Sequence, residues 1–276
     1  MMRLVRLTKS LVLHALLGAI GVLTVFPFAW MLVSSFKSNS EINAAAQSFW
    51  PKSWTLDNYV SVQEKLEFFR LFANSIFLSV VITAIVIYTS LLGGFVFAKY
   101  QFRGRGAAFA IILSTMMITW AVVIIPRYTL FESAGLRGSY ASIIIPAAIS
   151  GFGIFMMRQS MTAVPDEILE AARIDGASEP YIFHRIVAPM CRNAISALAI
   201  FQFLWVWEDY LWPYLMITSQ EKQVLAVGLT TFNGQYGTDY GGLFAATTIS
   251  VVPVLVVYVV FQRRFVAGAA SAAVKG

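Results

Sequence analysis

Apolar residues in this chain come in six long blocks, over residues 11–33, 71–98, 107–125, 141–157, 193–218 and 242–261. Each meets or nearly meets the run of about 20 apolar residues that crosses a bilayer as a helix. Lipid offers backbone N–H and C=O groups no partner, so the blocks are predicted to be α-helices. The second block holds 28 uncharged residues, about 42 Å of helix at ~1.5 Å per residue, and must tilt or run past the lipid. The fourth is the shortest and is interrupted by Gly151 and Gly153. The predicted fold is an all-α membrane protein of six transmembrane helices, with residues 1–276 forming one membrane domain.

Composition agrees with this pattern. Hydrophobic residues make up 58% of the 276 and charged residues 12%, about half the charged share of a soluble domain. The charges divide unequally. Thirteen Lys and Arg fall on the side of the N-terminus, the 99–105 turn, the 158–192 loop and the C-terminal tail, against seven on the other. Positive-inside bias therefore puts both termini in the cytoplasm. The net charge of +6 follows from that topology, and nucleic-acid binding is not needed to explain it. Arg3, Arg6 and Lys9 before an apolar run, with Ala44-Ala45-Ala46 further on, have the look of a cleaved leader. The run is too long for a signal core and the alanines lie well past its end, so the first helix is expected to be retained. Cys191 is the only cysteine, which rules out an internal disulfide and reads as a small packed residue.

The 158–192 stretch spends 35 residues between two apolar blocks. Pro165-Asp166-Glu167 suits a helix first turn, with acids complementing the dipole. Ile168, Leu169 and Ala172 make an apolar stripe beside Ala171, and Glu170 can pair with Arg173 three residues on. Gly176 supplies a left-handed stop. Ser178 can cap a second helix with Pro180 in its first turn, expected to run through Tyr181, Ile182, Phe183, Ile186 and Val187 and end before Pro189. Helices this short are marginal alone. They need either a partner protein or a membrane surface to lie on.

Catalytic constellations are missing. No HExxH, GxSxG, CxxC or GxxxxGK[ST] spacing occurs, which argues against hydrolase, metal and nucleotide-binding readings. Glu208 and Asp209 lie in the fifth block among Trp205, Trp207, Tyr210 and Trp212. Acids within a span are costly and face a bundle interior or water. Three roles suit them: a hydrogen-bonded helix break, a polar spot on a sugar path, or a proton site in an ion-coupled secondary transporter. The 34–70 loop carries Trp50 and Trp54, suited to a membrane surface or to an external partner.

Several of these segments together resemble one family. Glu170-Ala171-Ala172, Gly176, Ile186 and Pro189 look like the EAA loop of ABC importer permeases, with Ala188 where that family has Leu. Asp175 and Ala177 around the glycine resemble its carbohydrate-type members. Phe26-Pro27 through Ser34, Phe36 and Lys37 is similar to the first span and its exit, and Leu56-Asp57-Asn58-Tyr59 to the following loop. Trp207-Glu208-Asp209-Tyr210-Leu211-Trp212-Pro213 is similar to the fifth-span signature, where Asn is commoner than Glu208. The ending from Phe265 to Gly276 resembles the maltose-type second permease.

The resemblance implies a type I ABC importer permease fold with a coupling helix between spans 4 and 5, in a bacterial-type inner membrane. Glu170, Ala171, Ala172, Asp175, Gly176 and Ala177 would dock in an ATPase cleft. Lys275 and Gly276 would reach toward the ATPase pair. In the maltose-type case the sister subunit holds most substrate contacts, so Trp207, Glu208, Asp209 and Tyr210 as a border of the translocation path rest on their own residue chemistry. A sister permease, two ATPase subunits and an extracytoplasmic solute-binding protein would be partners, alongside membrane lipid. ATP and Mg would sit on the ATPase, and this chain would hold no cofactor, no metal and no catalytic residue. The cargo implied is a di- or oligosaccharide or a related polar solute.

Overall fold

The computed structural model describes residues 2–44, 48–234 and 237–273. Lys275 and Gly276 lie outside the described residues, as do Ala45 and Ala46. In chain order the helices are α1 (Met2–Ser34), α2 (Asn39–Ile42), α3 (Asp57–Leu66), α4 (Phe68–Lys99), α5 (Arg105–Thr115), α6 (Trp120–Ser133), α7 (Ala141–Ala147), α8 (Gly151–Thr162) and α9 (Asp166–Ile174). There follow α10 (Glu179–Met190), α11 (Arg192–Glu208), α12 (Leu211–Met216), α13 (Leu225–Gly228) and α14 (Tyr240–Ala273). Two-residue strands, Asn233–Gly234 and Gly237–Thr238, pair in antiparallel register before α14.

Within α1, α4 and α14 lie three segments that could cross a membrane unaided. Up to three more crossings result if each bent pair counts as one span: α5 with α6 at 96°, α7 with α8 at 40°, and α10 with α11 at 78°, the last with α10 lying in the 158–192 loop. The expected continuous helix over 107–125 is therefore two. The Ser114 and Thr115 hydroxyls bond back to the Ile111 and Ile112 carbonyls, and side chains of this kind compete with the helical ladder. Beyond the break α6 runs on to Ser133, past the expected end. In the fourth crossing, Ser150 caps α8 by accepting from the Gly153 amide at 3.1 Å. The fifth span, expected over 193–218, breaks at Asp209-Tyr210. The Asp209 carboxylate accepts the Trp212 amide at 3.4 Å, and Pro213 falls in the first turn of α12, where its missing N–H costs nothing.

One compact unit takes in Met1–Phe68 and Leu229–Val251. It joins segments far apart in sequence. Asn58 donates to the Ser35 and Lys37 carbonyls, both at 2.7 Å, and the Ser35 and Tyr59 hydroxyls meet at 2.7 Å. Lys37, 2% exposed, donates to the Ser48 carbonyl at 2.6 Å and lies 4.5 Å from the centre of the Trp30 ring. Asp239 takes bonds from Asn39 at 2.7 Å, Lys65 at 2.6 Å and the Gly242 amide at 3.0 Å. Burial alone would raise its pKa, but these donors outweigh burial and hold it below the ordinary aspartate value. A depressed folded-state pKa stabilises above the unfolded value, and that contribution disappears as pH falls through the folded one. Cleavage of the 34–70 loop by an acid-active protease should thus be slow above the ordinary carboxylate range and rise progressively as pH falls from there through the lower folded-state value. In Asp239→Asn that acid-dependent rise should be absent.

A second unit takes in Phe69–Gly228 and Val252–Gly276. It has two cores, and α4 contributes to both. Leu78, Ile82 and Val86 of α4 pack with Phe131, Ile143, Trp212 and Met216. Nearer its other end, Leu91 and Phe95 pack with Met157 and Met161 of α8, Leu169 of α9, Ile182, Phe183 and Val187 of α10, and Leu198 of α11. The 158–192 loop thus buries Leu169, Ile182, Phe183 and Val187 within the chain itself, while Ile168, Ile174, Tyr181 and Met190 stay exposed.

Candidate functional site

The break between α11 and α12 opens a cavity of about 750 Å³, within the usual range for ligand sites. Its walls carry Trp120, Trp205, Tyr210 and Trp212, together with Arg127, Gln202, Glu208 and Asp209. Glu208 is exposed there and Asp209 half-buried. The Trp205 ring is 61% exposed. Trp212 is anchored by donating from its indole to the Ser142 carbonyl at 2.9 Å, and the Arg127 guanidinium stands 4.6 Å from the centre of its ring. Aromatic faces beside groups that donate and accept hydrogen bonds suit a polyhydroxylated solute.

Of the four sequence candidates for a path, Glu208, Asp209 and Tyr210 line this cavity and Trp207 does not. Trp207 stacks on Phe203 at 5.8 Å and meets Phe72 edge-on at 5.7 Å. Arg127, Trp120 and Gln202 were missed. Arg127 falls just past the apolar block that ends at 125, but α6 extends beyond that point and carries it into the cavity wall. Helical spacing could have separated Trp205 and Glu208, three apart and on one face, from Trp207.

The loop candidates gather at the turn from α9 to α10. Gly176 has φ +81°. Its amide donates to the Arg173 carbonyl at 3.0 Å, and that of Ala177 to the Ala172 carbonyl at 2.9 Å, the paired bonds of a Schellman stop. Ala172, Asp175, Gly176 and Ala177 line an open groove of about 560 Å³ with Ser178, Tyr181 and Ile186. Glu170 and Ala171 lie outside the groove lining, both exposed. Ile174 is 86% exposed.

Three local expectations need correction. Arg173 pairs with Glu179 at 2.7 Å rather than with Glu170, because the left-handed turn folds the start of α10 back beside it. The hydrogen bond to Glu179 raises the Arg173 pKa, and bonds from Arg173 and Tyr100 lower that of Glu179. Burial, then the Glu179 contact, raises that of Tyr100. The second helix does not end before Pro189. Its turns widen to π geometry over Ile182–Val187, which makes room for the proline ring against the preceding turn. Ser178 holds the cap position of α10 without a side-chain cap bond.

Among the described residues no group of three His, Cys, Asp or Glu could hold a metal. Residues 72–270 match the family described as binding-protein-dependent transport system inner membrane component. The chain belongs to that family. This permease is 33% identical over 260 residues to the arabinooligosaccharides transport system permease protein AraQ of Halalkalibacterium halodurans, covering 93% of each chain. It is 35% identical over 265 residues to the diacetylchitobiose uptake system permease protein NgcG of Streptomyces coelicolor, covering 94% of this chain and 86% of that one. It also superposes with TM-score 0.80 and 25% identity on a chain from the crystal structure of a bacterial ABC transporter involved in the import of the acidic polysaccharide alginate, covering 93% and 96%. The permease is a type I ABC importer subunit and not an enzyme. Its 158–192 loop carries the EAA motif typical of the family.

Proposed function

We propose that this permease imports a di- or oligosaccharide or a related polar solute, with the cavity beside the α11–α12 break as its share of the translocation path. The observation that carries this reading is the lining, where Trp120, Trp205 and Tyr210 offer ring faces and Arg127, Gln202 and Glu208 offer polar partners. The names of the oligosaccharide-transporting relatives support the same solute class.

The rest of the machine follows from the loop. The exposed part of α9 with the Gly176 turn, including Glu170, Ala171, Ala172, Asp175 and Ala177, docks in an ATPase subunit. Two such subunits hold ATP and Mg. A sister permease completes the pore, an extracytoplasmic binding protein delivers solute, and both termini are cytoplasmic. The chain works as one permease domain. Driving the pore from 1:99 to 99:1 between two states takes about 5.5 kcal/mol of differential binding, and that energy enters at the loop.

The test is uptake of labelled oligosaccharides by vesicles holding the assembled importer, with binding protein outside and ATP inside. Uptake should require both. Trp205→Ala removes a largely exposed ring from the cavity and should slow uptake about five- to tenfold, equivalent to ~1–1.4 kcal/mol. Uphill uptake by this chain without nucleotide would overturn the importer reading, and wild-type rates in both Trp205→Ala and Glu208→Gln would remove the path assignment.

A further inference from the structure

We propose that α4 transmits movement of the docked loop to the cavity wall, and that Lys99 and Tyr100 are the positioning residues that pin α4 to the loop. The proposal rests on the docking reading of the loop given above.

Lys99 ends α4 with a side chain only 3% exposed. Its ammonium donates to the Val164 carbonyl and, at 2.6 Å, to the Asp166 carboxylate. That fixes the start of α9. The Tyr100 hydroxyl donates to Glu179, whose carboxylate also holds Arg173. One phenol thus reaches the start of α10 directly and the end of α9 through Glu179. The last carbonyls of α4 are held as well. Phe97 O accepts from Arg105 at 3.0 and 2.6 Å and from Arg158 at 3.0 Å.

From these pins α4 runs as an unbroken helix with no proline. Leu91 and Phe95 share a core with the loop residues Leu169 and Phe183. Further along, Ile82 lines the cavity and shares the other core with Trp212. From Lys99 to Ile82 is about 26 Å at ~1.5 Å per residue. Two covalent routes also join loop and cavity: α11, which leaves the loop through a 78° bend, and α8, which runs from the cavity-lining Ser150 into the loop but meets only its first arm. A rod pinned at both arms of the loop passes on a displacement that such an elbow can absorb.

Coupling of this kind has to be measured. The assembled importer is reconstituted with wild-type, Tyr100→Phe and Lys99→Met/Tyr100→Phe permease. Three quantities are read: ATPase subunit recovered per permease, nucleotide hydrolysed with loaded binding protein, and solute imported per nucleotide. The Phe97 carbonyl caps remain in these variants, and Tyr100→Phe keeps its ring on Phe95, 5.5 Å away, so the single variant preserves the test if the double one accumulates poorly. The expected result is unchanged ATPase recovery and continuing hydrolysis, with solute per nucleotide down about twofold in Tyr100→Phe and fivefold or more in the double variant. A fold confined to a scaffolding role would lower hydrolysis and import together and leave their ratio alone. A wild-type ratio, or import lost only in step with lost ATPase recovery, overturns the pin while leaving the docking reading intact. A wild-type complex that recovers no nucleotide-hydrolysing subunit overturns the docking reading and the pin with it.

Discussion

Gly94→Ala should sharply lower the yield of folded permease, although alanine is the better helix former by about 1 kcal/mol. A Cβ built at Gly94 lies 2.6 Å from Met157 Cβ, 2.8 Å from the Arg158 amide nitrogen and 2.9 Å from the Met157 carbonyl carbon. Two of these three obstacles are backbone atoms of α8, so no side-chain rotation relieves them. The neighbouring contacts are equally close. Gly93 faces Ile154, and Gly153 of α8 leaves room for Ser90. Small residues on both helices let the backbones approach, and in lipid that packing replaces the hydrophobic driving force. Overpacking of this kind typically costs ~1–3 kcal/mol, and a backbone obstacle puts Gly94→Ala at the upper end, net of the helix-propensity gain. The damage lands where α4 meets α8, between the loop and the cavity. Detergent-solubilised protein recovered as a single size-exclusion peak, and its midpoint of thermal aggregation, measure the effect. Gly106→Ala, where a Cβ meets nothing within 4 Å, is the control and should match or exceed wild type. Equal stability of Gly94→Ala and wild type would show that the two helices have slack at this crossing.

What the sequence revealed, and what it hid, divides by range. Six apolar blocks were legible because burial in lipid acts on every residue of a block at once. Pro165, Gly176 and Pro180 were legible because their backbone preferences are fixed by their own covalent structure. The break at 116–119 was hidden because hydropathy averages over the hydroxyls that divert backbone bonds, whereas a hydrogen-bonded break was among the roles open to Glu208 and Asp209 from the cost of acids within a span. Glu208, Asp209 and Tyr210 of the cavity wall were legible, but Arg127 and Trp120 were not, because they reach it only where α6 runs past its expected end and starts beyond a break. The Arg173–Glu179 pair escaped because spacing rules for one helix do not cross a left-handed turn. Pins such as Lys99 to Asp166 join residues 67 positions apart, and nothing local announces them. Asn39, Lys65 and Asp239 make the same point in the other unit, where three loop residues unremarkable in sequence close one network.

Gly176 permits a sharper experiment, because the space around it is open. A Cβ there meets nothing within 4 Å, so substitutions act through the backbone alone. Its φ of +81° lies where glycine is at ease, where Asn is tolerated, and where other L-residues lose roughly 1–2 kcal/mol. Proline cannot adopt it at all, since its ring fixes φ near −65°, and it also removes the amide that Gly176 gives to the Arg173 carbonyl. If the docked loop works by holding α9 and α10 in this fixed relation, import should fall in the order Gly, Asn, Ala, Pro. Asn should stay within about twofold of wild type, Ala should drop several-fold, and Pro should lose import and the stimulation of hydrolysis by loaded binding protein more than tenfold. All four should reach the membrane, because the apolar face of the loop, Leu169, Ile182, Phe183 and Val187, is buried in the core and a Cβ at Gly176 meets nothing within 4 Å. The order carries the information. Side-chain chemistry as the determinant would set Ala nearest to Gly and Asn further off, whereas backbone geometry puts Asn first. Full import by Gly176→Pro would mean that the turn between α9 and α10 can be reshaped without cost, and the coupling role would have to leave this segment.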